Sequence, residues 1–129
     1  TIIPTFAERC SESKKIEMQA RTLDEMVEEL PPPDVMKVDV EGAEHPVLEG
    51  GKKFLTQHHP PIIIEFNRES IHDSGKTPSS YLDLFLDLGY DIFKPYRPWV
   101  GYHRWEGKTR INHEGALPAL CNIVLLKSD

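Results

Sequence analysis

Apolar positions along the chain change their spacing in a regular order, and that order predicts the elements. Residues 15–20 alternate apolar and polar, the period of a short strand. Thr22-Leu23-Asp24-Glu25 then reads as a capping box, in which the Thr22 hydroxyl accepts the third helical amide while Glu25 reaches back. A helix over residues 23 to about 30 follows, and Pro31-Pro32-Pro33 cannot continue it. Over residues 35–40, Met36, Val38 and Val40 share one face of a strand and Lys37 and Asp39 the other, so this strand is apolar until its carboxyl end. Gly42 breaks it. Ala43, Val47, Leu48, Phe54 and Leu55 recur at helical spacing to about residue 58, with Glu41 and Glu44 at the end that favours anions and Pro46 tolerable in the first turn.

Residues 61–67 are apolar on both faces before Glu65, the look of a strand inside a parallel sheet covered by helices. Two such strands around one helix make a βαβ unit. Residues 68–76 read as a polar loop. Thr77 and Pro78 start another helix, whose stripe of Tyr81, Leu82, Phe85 and Leu88 runs to the Gly89 cap. Residues 90–94 form a further strand, residues 95–115 an aromatic, glycine-containing connection, and residues 120–126 a strongly apolar closing strand. The expected fold is α/β: a mostly parallel sheet with a final antiparallel strand pair.

Length and charge narrow the function. A chain of 129 residues fits one domain. Its formal charge of −6 repels phosphate backbones and anionic lipid heads, so neither nucleic acid nor a membrane is expected as a partner. Apolar runs such as Ile62-Ile63-Ile64 are far short of a bilayer span. Cys10 and Cys121 lie almost a chain apart with no zinc-type spacing, which fits a reducing cytoplasm.

In open α/β sheets, ligands bind beyond the carboxyl ends of the strands. The polar residues there are Asp39 and Glu41 after one strand and Glu65 and Asn67 after the next, and adjacent parallel strands would face them into one cavity. Such a set suits general-base or metal chemistry. The structural alternative is that Asp39 or Glu41 caps the following helix and Glu65 pairs with Lys37 across the strands.

The run Met36-Lys37-Val38-Asp39-Val40-Glu41-Gly42-Ala43-Glu44, followed by Val47-Leu48-Glu49-Gly50, resembles the carboxyl half of FkbM-type methyltransferases, which read K-(I/V)-D-V-E-G-A-E and then V-L-x-G. Thr22-Leu23-Asp24, the strand from Pro61 ending in Glu, Leu88-Gly89-Tyr90 and Asn122-Ile123-Val124-Leu125 agree with it. The resemblance covers residues 20–127. It implies a class I, Rossmann-like fold that uses S-adenosylmethionine to methylate a hydroxyl of a small molecule or glycan. It implies too that Asp39 stands beside the transferred methyl, as cofactor contact and as the group that orients the nucleophile or takes its proton. Glu41 is the weaker candidate. Glu65 and Asn67 could complete a metal site with Asp39, although the resemblance brings no metal with it.

The family's glycine-rich loop and ribose-binding acid have no counterpart in these residues, and Gly50-Gly51 lies within a predicted helix and follows no strand. The chain therefore reads as one domain, residues 1–129, the carboxyl-terminal part of a methyltransferase. Alone it should bind S-adenosylmethionine negligibly and could self-associate through an exposed sheet edge. The rival reading is a non-catalytic interaction module of the same fold. Residues 96–105, with Trp99 and Trp105 among four aromatics near Arg97 and Arg104, suggest either a sugar-stacking platform or a hairpin covering the sheet end.

Overall fold

The structure, a computed structural model, describes residues 16–95, 108–111 and 113–129, of which 108–110 by backbone alone. Among the described residues the chain folds as α1 (Leu23–Val27), β1 (Met36–Val38), α2 (Glu44–Glu49), α3 (Lys52–His58), β2 (Ile62–Asn67), α4 (Arg68–Asp73), α5 (Pro78–Asp87), β3 (Tyr90–Pro95), β4 (Lys108–Arg110), a 3-10 turn at Glu114–Ala116 and β5 (Leu120–Lys127). The strands form one sheet in the order β1-β2-β5-β3-β4.

Among the described residues only β1 and β2 pair in parallel, with Val38 opposite Ile64. The expectation of a mostly parallel sheet is therefore corrected. The closing strand β5 inserts between β2 and β3 and runs antiparallel to both. By that geometry β3 points the same way as β2, but the two never touch edge to edge. Strand order in the sequence does not reveal such an insertion, because β5 is apolar enough to sit anywhere in the middle.

One face of the sheet carries the core. Val38, Ile62, Ile64, Phe66, Tyr90, Ile92, Ile123 and Leu125 are buried and cluster with Leu48, Phe54, Leu55, Tyr81 and Phe85 from the helices. Burial of that apolar area is the main stabilising term. Along β2 buried and half-buried residues alternate, so Ile63, Glu65 and Asn67 belong to the other, less covered face.

Local departures from the expected elements have local causes. Residues 16–20 form no strand: Ile16 and Met18 are 72% and 85% exposed, so the alternation finds no surface to pack on. The capping box is present, with Thr22 Oγ1 accepting from the Glu25 amide at 3.2 Å and Glu25 Oε2 from the Thr22 amide at 2.8 Å, but α1 stops at Val27. The helix expected over residues 43–58 divides at Gly50 and Gly51 into α2 and α3. Residues 68–73 are helical where the pattern reads as a loop, because Asn67 caps them and Ile71 anchors them in the core. Thr77, Pro78 and Ser80 start α5 as the pattern predicts.

Candidate functional site

The parallel pairing of β1 with β2 builds the site. Val38 lies opposite Ile64, so the next step sets Asp39 alongside Glu65, and partners in a ladder show their side chains on one face. The antiparallel ladder places Asn122 of β5 opposite Glu65. Glu65 and Asn122 thus face each other across β2 and β5, and Asp39, the residue after the end of β1, continues toward them with its charge acting on Glu65. Asn122 was not among the sequence candidates. Its signal was present, as the one amide within an otherwise apolar closing strand.

Asp39 is 42% exposed, and its carboxylate pairs with the Lys37 ammonium two residues before it. Lys37 therefore serves Asp39 rather than bridging to Glu65. Glu65 is half-buried. That burial, with the negative charges of Asp39, Glu41 and Glu44, pushes its carboxyl above the usual range, while Lys37 pulls the other way. Beneath it the buried Tyr81 hydroxyl donates to the Glu65 carbonyl at 3.5 Å. Tyr81 packs edge-on against Phe66 and Phe85, so α5 buttresses β2 at this point. Burial, then Glu44 and Glu65, raise the Tyr81 phenol and keep it neutral.

After Asp39 the chain turns sharply, with φ of 50° at Glu41 and 98° at Gly42. Glycine takes that backbone freely, and a non-glycine residue such as Glu41 does so at a cost. The turn is held from inside. Glu44, 6% exposed, accepts the Val40 amide at 3.1 Å and the Gly42 amide at 3.0 Å. Neither Asp39 nor Glu41 caps α2, whose N-cap Ala43 has no side-chain hydrogen bond; Glu44 braces the preceding turn, and Glu41 is left exposed. Asn67 plays a different part, since its Oδ1 accepts from the Glu69 and Ser70 amides at the start of α4. That acceptor is committed to the helix cap.

Gly50 and Gly51 form no ligand loop. A Cβ on Gly51 would lie 2.6 Å from Leu23 Cδ2, so the glycine exists to let α1 pack. The amides at the start of α3 are also taken, since Asp24 Oδ1 accepts from Phe54 at 2.8 Å and Oδ2 from Lys53 at 3.3 Å. The aromatic run at residues 96–105 lies outside the described residues. Among the described residues no three His, Cys, Asp or Glu side chains converge as a metal would require. His45 is buried beside Tyr81 with burial lowering its pKa, and His59 sits 3.1 Å from the Leu88 carbonyl. Both act in packing.

Residues 4–92, more than half of the sequence, match the Methyltransferase FkbM domain. The chain belongs to the FkbM methyltransferase family. That membership places it among the methyltransferases, and the Asp39 turn and Glu65 both fall inside the matched FkbM segment. No curated protein and no solved structure matches it. Among the described residues of this FkbM domain, no helix is long and apolar enough to cross a membrane.

Proposed function

We propose that this FkbM domain serves an S-adenosylmethionine-dependent O-methyltransferase acting on a hydroxyl of a small molecule or glycan. The observation that carries the reading is the pair Asp39 and Glu65, set side by side at the carboxyl end of the parallel strands within a methyltransferase-family segment. The donor set fits the cationic end of the cofactor: Asp39, Glu41 and Glu65 concentrate negative charge there. S-adenosylmethionine, when bound, supplies an electrophilic methyl on a positively charged sulfur.

The protein's own residues would then do three things. Asp39, exposed just after β1, accepts a hydrogen bond from the acceptor hydroxyl and orients its oxygen; in-line attack needs that alignment. A carboxylate in that place would also take the proton the hydroxyl gives up as the methyl moves from sulfur to oxygen and the sulfur leaves as a neutral thioether. Glu65, with its raised proton affinity, is the second base in reach and passes or shares that proton with Asp39. Asn122, opposite Glu65, offers a neutral amide for a second polar group of the acceptor.

The test, run on a protein that carries this chain together with a cofactor-binding half, is transfer of label from methyl-tritiated S-adenosylmethionine to hydroxylated small molecules and glycans. The expected product keeps its label in mild base, as a methyl ether does. Label lost in base would mean a carboxyl was esterified, and absence of transfer with the cofactor bound would favour the non-catalytic module.

A further inference from the structure

The site described so far consists of groups facing outward, yet the turn that presents two of them is fixed by one facing inward. Glu44 is the first residue of α2 and one of the few buried charged side chains of the described protein. A buried carboxylate is costly unless its oxygens are satisfied. Both oxygens of Glu44 accept from the Gly42 amide, at 3.0 Å and 3.3 Å, and Oε1 also accepts from Val40 at 3.1 Å. Those amides flank Glu41, whose left-handed backbone would relax to an ordinary conformation if nothing held its neighbours. A Cβ on Gly42 would stand 3.4 Å from Ser70 Cβ, an ordinary contact, so the turn lies beside α4.

We propose that Glu44 is the positioning residue of this site: its buried carboxylate clamps the amides of Val40 and Gly42 and thereby fixes where Asp39 and Glu41 stand relative to Glu65. The catalytic consequence rests on the methyl-transfer reading; the clamp itself does not. A helix cap does not account for these hydrogen bonds, since both donors precede α2, and a purely local brace would not account for a second effect. Glu44 also acts on the acidic side chains through space, since its charge is one of those that raise the proton affinity of Glu65.

Two variants separate these roles by nuclear magnetic resonance, with no turnover needed. In Glu44→Ala the Val40 and Gly42 amides should exchange with solvent about tenfold faster or more, the scale of one lost hydrogen bond, while β2 amides keep their protection. In Glu44→Gln an acceptor oxygen remains and the charge goes, so one of the two amides should stay protected. In both variants Glu65 should titrate at lower pH than in the wild type. Unchanged exchange at Val40 and Gly42 in Glu44→Ala, or an unmoved Glu65 titration in Glu44→Gln, would overturn the proposal. Should Glu44→Ala lose protection throughout β2, Glu44→Gln decides, by whether a Val40 or Gly42 amide stays protected while Glu65 titrates lower. If the chain shows these shifts while the same chain joined to a cofactor-binding half binds S-adenosylmethionine and transfers no methyl, the proposed function fails and the clamp stands.

Discussion

Two glycine-containing turns flank α2, and they have opposite fates. The turn at Gly42 follows a strand, and its amides are satisfied from inside by Glu44, which leaves Asp39 and Glu41 facing out. The turn at Gly50 and Gly51 lies between two helices and is filled by α1. Leu23 occupies the space over Gly51, the Asp24 amide donates to the Gly50 carbonyl at 2.9 Å, and the Asp24 carboxylate caps α3. A glycine pair therefore says little by itself. What decides between a working turn and a packing joint is which groups satisfy the surrounding amides and what stands where a side chain would be.

The largest effect that sharpens the comparison is on rate. In a protein that also carries the cofactor-binding half, Asp39→Asn should lower methyl transfer by about 100-fold to 10,000-fold, the range of a lost general base, with the melting temperature nearly unchanged. Equal turnover of variant and wild type would remove Asp39 from the chemistry. The opposite turn should respond in stability. Gly51→Ala forces a methyl against Leu23 and should cost about 1–3 kcal/mol by thermal or urea unfolding. Adding Leu23→Ala should restore part of that loss, whereas additive losses would break the packing explanation.

Smaller again is the cap. Asp24→Ala should cost about 1 kcal/mol, as N-cap losses do, and leave the rate constants of methyl transfer alone. A fall in turnover without a fall in stability would instead give the Gly50 turn a part in function. The smallest effect is pH-dependent. Glu65 binds its proton more tightly when folded, so its ionisation lowers stability as pH rises from the ordinary carboxyl range through the raised folded value. Glu65→Gln should remove that dependence, melting at or slightly above the wild type at pH 7 and losing that advantage below about pH 4. A wild-type advantage that grows with pH would reverse the sign.

The elements that the sequence shows are those whose signals are local. The capping box at Thr22 and Glu25, the Thr77-Pro78 start and the apolar run of β2 need only neighbours within a turn or a strand, and each element is present. Long-range partners are what it conceals. Nothing near Lys52 announces a cap, because Asp24 reaches it from about thirty residues away. Asn67 looks like a polar end of a strand and serves as the first capping group of a helix. The place of β5 depends on which edge of β2 it joins, and the same ambiguity hid Asn122 from its place opposite Glu65. Within the DVEGAE run the acidic residues are alike on paper. Only the left-handed backbone at Glu41 and the burial of Glu44 tell the outward group from the clamp.

The proposed chemistry depends on Asp39 and Glu65 sharing one site. That sharing is tested most directly by following the Glu65 carboxyl through a pH titration by carbon-detected nuclear magnetic resonance, in the wild type and in Asp39→Asn. The structure predicts a wild-type Glu65 that titrates above the ordinary carboxyl range and moves down when the neighbouring charge is removed. A Glu65 that titrates in the ordinary range, or one that ignores Asp39→Asn, would contradict it.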